Sequence, residues 1–176
     1  MRLHLAAAIS VCTLGGAALT IPGQMAAQRG SDTVLAAANA QKLLPAMVHY
    51  HGQAVPIQMR NTAGVQFADG HRILAGLTDR SGWNSAEGAS MFQAYLKTEV
   101  SLKMDGKVLP RGEYAIAFSA NMLEIEDLNG RSVMMPKAGV DTEIKRPMPL
   151  EVTPNPDGGY RLYCGRQYVV FTRQDG

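Results

Sequence analysis

Two histidines separated by one residue are the first side chains in this sequence that could do chemistry. His49 and His51 flank Tyr50, and alternate residues of a strand point to the same face, so both imidazoles would lie on one side. A zinc site needs three or four ligands, so His71 or a carboxylate would have to complete the set. We therefore predict His49 and His51 as metal-binding residues. The alternative, which the missing ligands favour, is that the two histidines lie at a polar strand edge or at the entry to a loop.

Carboxylates recur at Glu124 and Glu126, with Asp127 beside them. If Leu123 and Ile125 face the interior of the protein, the two glutamates face solvent and flank no cleft, whereas the paired carboxylates of a glycosidase lie across one. The sequence contains no Gly-x-Ser-x-Gly nucleophile motif. The sequence therefore predicts no catalytic residue and no cofactor, and a hydrolase with an unrecognised site remains an alternative.

Cys164 is the one cysteine that follows the first 27 residues. It cannot form an internal disulfide, so the fold must be held by its core. Because it alternates with Leu162, we expect it in an apolar layer, where a thiolate is disfavoured.

Aromatic side chains suggest where a ligand could bind. Trp83 is the only tryptophan, and it lies in the longest gap between predicted strands, 79–90. Loops on a rigid scaffold often carry function. Tyr160, Tyr163 and Tyr168 fall in the last predicted hairpin and could form an aromatic patch. We predict Trp83 and Tyr163 as ligand-binding residues; the alternatives are that Trp83 caps the core and that the tyrosines reflect strand propensity.

The first 27 residues have the pattern of a secretory signal peptide. Arg2 gives a basic start, the stretch from Leu5 to Ile21 has no charge, and Met25-Ala26-Ala27 offers small residues for cleavage. A retained anchor is the alternative, but an apolar run of about 17 residues is marginal for crossing a bilayer. We predict cleavage after Ala27, export to the periplasm or beyond the cell, and no membrane span in the rest of the chain.

The overall charge is close to neutral, with 17 basic and 15 acidic residues. No basic cluster is present that could displace counterions from a nucleic acid or hold an anionic membrane surface. We therefore expect no nucleic-acid partner, and an envelope or extracellular partner of unknown identity.

Residues 28–47 are predicted as a short helix or flexible arm, with Ser31 or Asp32 as its cap and Pro45 as its end. Residues 48–174 are predicted as one β domain. Along Phe92–Met104 apolar residues alternate with polar ones, which indicates one long strand. Tyr95 and Lys97 belong to the set that would face water.

Turn signals at Asp69-Gly70, Asp105-Gly106 and Asn129-Gly130 fit two-residue hairpin turns in which both residues have positive φ. We expect an all-β, mainly antiparallel fold, a sandwich or flattened barrel of about eight or nine strands. The other predicted strands are Gly64–Ala68, Arg72–Thr78, Glu113–Ser119, Met122–Leu128, Arg131–Met135, Leu150–Thr153, Tyr160–Cys164 and Gln167–Thr172.

The stretch Gly106–Tyr114 resembles a Gly-Lys-x-Leu-Pro-x-Gly-x-Tyr block of small exported bacterial β-sandwich proteins that have no assigned activity. Residues 43–172 are more broadly similar to exported proteins of soil bacteria through four segments: Arg60–Gly70, Gln93–Glu99, Lys145–Leu150 and Gly159–Tyr163. The resemblance implies export and a β-sandwich, and it assigns a role to no residue.

Together these observations favour an exported, non-enzymatic binding or interaction domain. One alternative is a lipocalin-like carrier that holds a small apolar ligand in the mouth of a barrel. The other is the hydrolase considered above.

Overall fold

The computed structural model describes residues 31–79 and 92–174. Almost all of its regular structure is antiparallel β. The strands are, in chain order, β1 Thr33–Leu35, β2 Met47–Tyr50, β3 Gln53–Gln66, β4 Arg72–Thr78, β5 Ala94–Thr98, β6 Leu102–Met104, β7 Lys107–Leu109, β8 Gly112–Ser119, β9 Met122–Asp127, β10 Ser132–Met134, β11 Gly139–Val140, β12 Glu151–Pro154, β13 Tyr160–Cys164 and β14 Gln167–Arg173.

The strands form two sheets. The large sheet has the order β1-β3-β4-β5-β8-β9-β10, with β2 paired to β3 outside this path. The small sheet has the order β12-β13-β14-β6-β7, with β11 paired to β14. The predicted all-β class is confirmed, and the architecture is a sandwich rather than a closed barrel. The described residues hold fourteen strands, more than the eight or nine expected, because the predicted strand 92–104 is divided in two and because β1, β2, β7 and β11 were not among the predicted strands.

The main core lies between the two sheets. The residues that alternate inward along 94–104, including Leu96 and Leu102, are buried in it as predicted. The prediction of one long strand is wrong, however. The chain bends at Glu99–Ser101 and passes from the large sheet into the small one, so β5 and β6 are separate strands. At this bend the Thr98 hydroxyl donates to the Val100 carbonyl oxygen at 2.6 Å.

A second apolar cluster covers the outer face of the large sheet. Ala40, Leu44 and the β2–β3 hairpin pack on Phe92 and Tyr95 of that face. The pairing of β3 with β4 shifts register between Ile57 and Thr62, and such a bulge bends a strand. The part of β3 before the shift pairs with β2 and lies over the sheet. Tyr95 is therefore only 1% exposed, and the prediction that it faces water is wrong.

The N-terminal arm contains less helix than predicted. Only Ala37–Ala40 is α-helical, as α1, and Gln41–Leu43 continues as a 3-10 helix. Thr33–Leu35 pairs with β3 as a strand, so the expected helix start at Ser31 or Asp32 is wrong. The Asp32 carboxylate instead accepts hydrogen bonds from the Ala68 backbone N–H and the Tyr160 hydroxyl. These contacts outside the arm compete with helix formation and hold its first residues extended.

The predicted turns lie where expected, but only one of the three has the expected geometry. Asp105 and Gly106 both have positive φ, 46° and 75°, as a two-residue hairpin turn between β6 and β7 requires. At Gly70 and Gly130 only the glycine has positive φ, and the backbone hydrogen bonds enclose three-residue loops. Those two turns are therefore of the longer type that ends in a left-handed glycine.

The Gly106–Tyr114 block carries the chain from the small sheet back to the large one. Its Tyr114 hydroxyl donates to the Pro110 carbonyl oxygen at 2.8 Å, the arrangement of a tyrosine corner. A Cβ on Gly112 would lie 2.9 Å from that hydroxyl oxygen, so the ring covers the backbone of this glycine. The block is thus a structural corner, as its turn chemistry indicates. Within the described ranges, no helix is long and apolar enough to cross a membrane.

Candidate functional site

A groove of about 420 Å³ opens on the outer face of the large sheet, at the edge of the β2–β3 hairpin. We name it the hairpin groove. Its volume lies within the range of small-molecule sites. Eight residues line it: Pro45, Met47, Val48, His49, Tyr95, Lys97, Glu113 and Leu128.

One wall of the hairpin groove carries opposite charges. Lys97 on β5 and Glu113 on β8 are direct cross-strand partners. Lys97 Nζ lies 3.6 Å from Glu113 Oε1, and the two side chains are 37% and 47% exposed. The sheet thus fixes their positions while both charged groups remain accessible from solvent.

Tyr95 forms the floor beside this ion pair. Burial raises the pKa of its phenol well above the usual value, and the negative charge and hydrogen bond of Glu113 raise it further. Tyr95 therefore stays protonated. The Glu113 carboxylate lies close enough to the phenol to affect its pKa, and it pairs with the Lys97 ammonium.

Apolar residues line the rest of the groove. Met47 on β2 is 50% exposed, and Pro45 and Leu128 also line the groove. Continuing the β8–β9 register brings Leu128 next to Glu113 on the sheet side. A methionine side chain is flexible and adapts to ligands of different shape. The groove therefore combines an adaptable apolar wall with a charged one.

His49 and His51 differ in their surroundings. His49 is exposed on β2 and lines the hairpin groove. His51 lies in the β2–β3 turn with φ of 50°, and its ring packs edge-on against Tyr50. His71 pairs with Asp69, with 3.0 Å between Nδ1 and Oδ2. Among the described residues no group of three or more His, Cys, Asp or Glu side chains is placed to hold a metal ion.

Two of the three carboxylates of β9, those of Glu126 and Asp127, have structural partners. Leu123 and Ile125 are buried in the core as predicted. Glu126 accepts a hydrogen bond from the Tyr50 hydroxyl, and burial, followed by this bond, raises the pKa of Tyr50. Asp127 accepts from the backbone N–H groups of Asn129 and Arg131 in the next turn. The cavity beside Glu124 and Glu126 measures only about 10 Å³, the space of roughly one water.

The predicted aromatic patch is divided between the two faces of the small sheet. Tyr163 and Tyr168 are cross-strand partners with ring centroids 5.2 Å apart. Tyr163 is 5% exposed, and its hydroxyl donates to Asp141 at 3.1 Å. Tyr160 stacks on Phe171 on the core side. Trp83, the other predicted ligand-binding residue, lies outside the described residues.

Cys164 is half-buried and packs against the main core. Burial raises the pKa of its thiol, so the thiolate needed for nucleophilic attack is disfavoured.

A second groove, of about 300 Å³, lies where the N-terminal arm meets both sheets. Its charged side chains are engaged within the protein. Asp32 accepts from Tyr160, and Arg173 pairs with Asp69 at 2.7 Å. This groove is a joint between layers, and the hairpin groove is the stronger candidate for a ligand site.

Three of the four polar residues of the hairpin groove were missed by sequence reasoning. In the sequence, Tyr95, Lys97 and Glu113 have the pattern of solvent-facing residues, and only His49 was singled out, for a different role. The one sequence signal was a bulky tyrosine on the polar side of the alternation. The ion pair depends on a cross-strand register that no local pattern contains.

Comparison with models of protein families, with curated proteins and with solved structures found no match to this chain.

Proposed function

We propose that this protein is an exported binding domain that holds a small ligand in the hairpin groove. The ligand has an apolar part for the Met47 wall and an ionised part for the Lys97–Glu113 wall. One observation carries the proposal: the groove offers apolar and charged surface together at an accessible site of small-molecule size. Pockets that bind small molecules combine these features. Export, and with it a partner or ligand in the envelope or beyond, rests on the leader pattern of residues 1–27.

The other functions are less well supported by the geometry. A lipocalin-like carrier holds its ligand inside a closed barrel, whereas the strands here form two separate sheets with a buried apolar core. For a hydrolase, the β9 carboxylates face a cavity of about 10 Å³, and burial disfavours the Cys164 thiolate. Neither arrangement offers room and a reactive group together.

Nuclear magnetic resonance titration of the mature chain tests the proposal. The probes are leucine, hexanoate and hexylamine, each with an apolar body and at least one charge. We expect at least one of them to shift the amide signals of residues 46–49, 95–97 and 113. In the Lys97→Met variant a probe that carries a carboxylate, leucine or hexanoate, should bind about tenfold more weakly or worse, because its charged contact is lost.

Lys103→Met is the matched control, because Lys103 is exposed on β6 of the small sheet. It should leave binding unchanged. Equal thermal unfolding of the two variants would show that the loss is not a folding defect. Signal changes confined to other regions, or none with any probe, would overturn the proposed function.

A further inference from the structure

We propose that the ligand of the hairpin groove is an α-amino acid with an apolar side chain, bound as a zwitterion. This inference rests on the proposed function and names the class of ligand at the same site. It follows from the arrangement of the two charges, from the effect of each on a ligand with a single charge, and from the apolar lining of the groove.

The spacing of the charges matches the backbone of an α-amino acid. The ammonium and carboxylate groups of such a molecule are bonded to one carbon atom, so two opposite charges lie side by side. Lys97 Nζ and Glu113 Oε1 are likewise adjacent, at 3.6 Å. A ligand can therefore present its carboxylate to Lys97 and its ammonium to Glu113 at the same time.

The ion pair can exchange partners at small cost. Half-exposed pairs of this kind contribute little to stability, so opening the pair to admit a ligand sacrifices little. The Lys97 ammonium has three N–H donors, so it can contact Glu113 and a ligand carboxylate. The pairing of β5 with β8 keeps the backbones of Lys97 and Glu113 side by side during the exchange.

A ligand with one charge fits this wall less well than a zwitterion. A carboxylate that contacts Lys97 is drawn within a few ångströms of the like charge of Glu113, and an amine that contacts Glu113 is drawn equally close to Lys97. Like charges in contact oppose binding. A zwitterion pairs each protein charge with its opposite, and these two attractions outweigh the repulsion between like charges, so the pair selects for both charges together.

The side chain of the ligand lies against the apolar lining of the groove. Met47, Pro45 and Leu128 present apolar surface that a branched or linear aliphatic group can cover. Removing such a group from water favours binding. An apolar amino acid should therefore bind more tightly than glycine, which has the charges without the side chain.

Three matched probes test the inference on the mature chain. Leucine carries both charges, N-acetyl-leucine only the carboxylate, and leucine amide only the ammonium. Titration followed by groove amide signals should give leucine the highest affinity, with each single-charge probe about tenfold weaker or more. Glycine should be weaker than leucine as well.

The variant Glu113→Gln tests whether the charge of Glu113 sets the order of affinities of the probes. A merely structural role of Glu113 would not change that order. Without the negative charge, N-acetyl-leucine loses its repulsive neighbour, so the preference should reverse in its favour. Lys97→Met should shift the preference toward leucine amide, and Lys103→Met should leave the wild-type order unchanged. If either groove variant fails to fold, the ranking of the probes on the unmodified protein decides alone.

The outcomes separate the two proposals. If N-acetyl-leucine or leucine amide binds in the groove as tightly as leucine, the zwitterion inference is wrong while the groove remains a ligand site. If no leucine derivative, hexanoate or hexylamine alters the groove signals, both proposals fail.

Discussion

Tyr114 fastens the place where the chain leaves the small sheet and enters the large one. Pro110 and Arg111 connect β7 to β8, and the Tyr114 hydroxyl reaches back to the Pro110 carbonyl oxygen. The ring is buried in the main core. One side chain thus joins the connection to the core through both packing and a hydrogen bond.

Tyr114→Phe should lower the free energy of unfolding by about 1 kcal/mol, the usual net value of one hydrogen bond. The ring and its core contacts remain, so the loss should come from the hydroxyl alone. Urea denaturation of the two proteins measures it. No change in the urea midpoint would show that the hydroxyl bond contributes nothing to the corner.

Gly112→Ala provides a control for the same corner. The added Cβ would lie 2.9 Å from the Tyr114 hydroxyl oxygen, so the ring must shift and the same hydrogen bond weakens. The costs of the two changes should therefore not add in the double variant, because they act on one contact. Full additivity would contradict this picture.

At the residue scale the sequence predicts the corner better than it predicts the groove. The Gly, Pro and Tyr of the block act through their own turn chemistry, which is local. Tyr95, Lys97 and Glu113 acquire their roles from strand register and from the hairpin above them. Alternation of apolar and polar residues reveals neither the register nor the hairpin. It predicts only that a side chain lies on the face away from the core, and it does not indicate what covers that face.

The β2–β3 hairpin is the element that makes the groove, and it docks on the β9–β10 turn. The His51 backbone N–H donates to the Leu128 carbonyl oxygen at 3.0 Å. The His51 ring lies so close to Gly130 that a Cβ there would overlap its Nε2 atom. This contact fixes the far end of the hairpin, and β2 in turn carries Met47 and His49 into the groove.

Gly130→Ala should destabilise the protein by about 2–3 kcal/mol, within the range of changes that combine backbone strain with a steric clash. Gly70→Ala is a matched comparison. Gly70 ends the same kind of three-residue loop with φ of 91°, and a Cβ added there would meet no atom within 4 Å. That variant should cost only the left-handed strain, about 1 kcal/mol. Thermal unfolding of both variants measures the difference.

The excess cost at Gly130 should depend on His51. In a His51→Asn background the imidazole is gone, and asparagine tolerates the left-handed φ of 50° at this position. The cost of Gly130→Ala should then fall to that of Gly70→Ala. An unchanged cost in this background would show that the clash is not with the hairpin.

Element bounds were predictable wherever turn residues flank a strand. The predicted strands Arg72–Thr78 and Tyr160–Cys164 match β4 and β13 residue for residue. The division of 92–104 into two strands was not predictable. The inward alternation continues unbroken through the bend, and only the hydrogen-bonding partners change. β1 was missed for a related reason: its pairing with β3 stabilises a segment that was predicted as part of a helix or flexible arm.

At the scale of the whole molecule, the two sheets are tied together at one end by side chains far apart in sequence. Asp69, in the turn between β3 and β4, pairs with Arg173 of β14 at 2.7 Å. The Arg173 guanidinium also lies 5.4 Å from the centre of the Phe67 ring. The Asp32 carboxylate accepts a hydrogen bond from the Tyr160 hydroxyl at 2.8 Å. The turns of the sequence predicted a sandwich or flattened barrel but not which ends of the sheets meet, since these pairs depend on sheet order.

This tie gives the stability of the molecule an acid dependence that Asp69→Asn should remove. The Arg173 hydrogen bond, with help from His71, holds the pKa of Asp69 well below its usual value. A carboxylate with a lowered pKa stabilises the folded state fully above the unfolded pKa of about 3.9, and loses that contribution as the pH falls toward the folded pKa. In urea denaturation the wild type should therefore exceed Asp69→Asn in free energy of unfolding at pH 5, and the gap should narrow from about pH 4 downward. Asp157→Asn, a matched change in the exposed turn between β12 and β13, serves as the control. A gap that stays constant down to about pH 2 would show that the Asp69 carboxylate does not link the sheets through its charge.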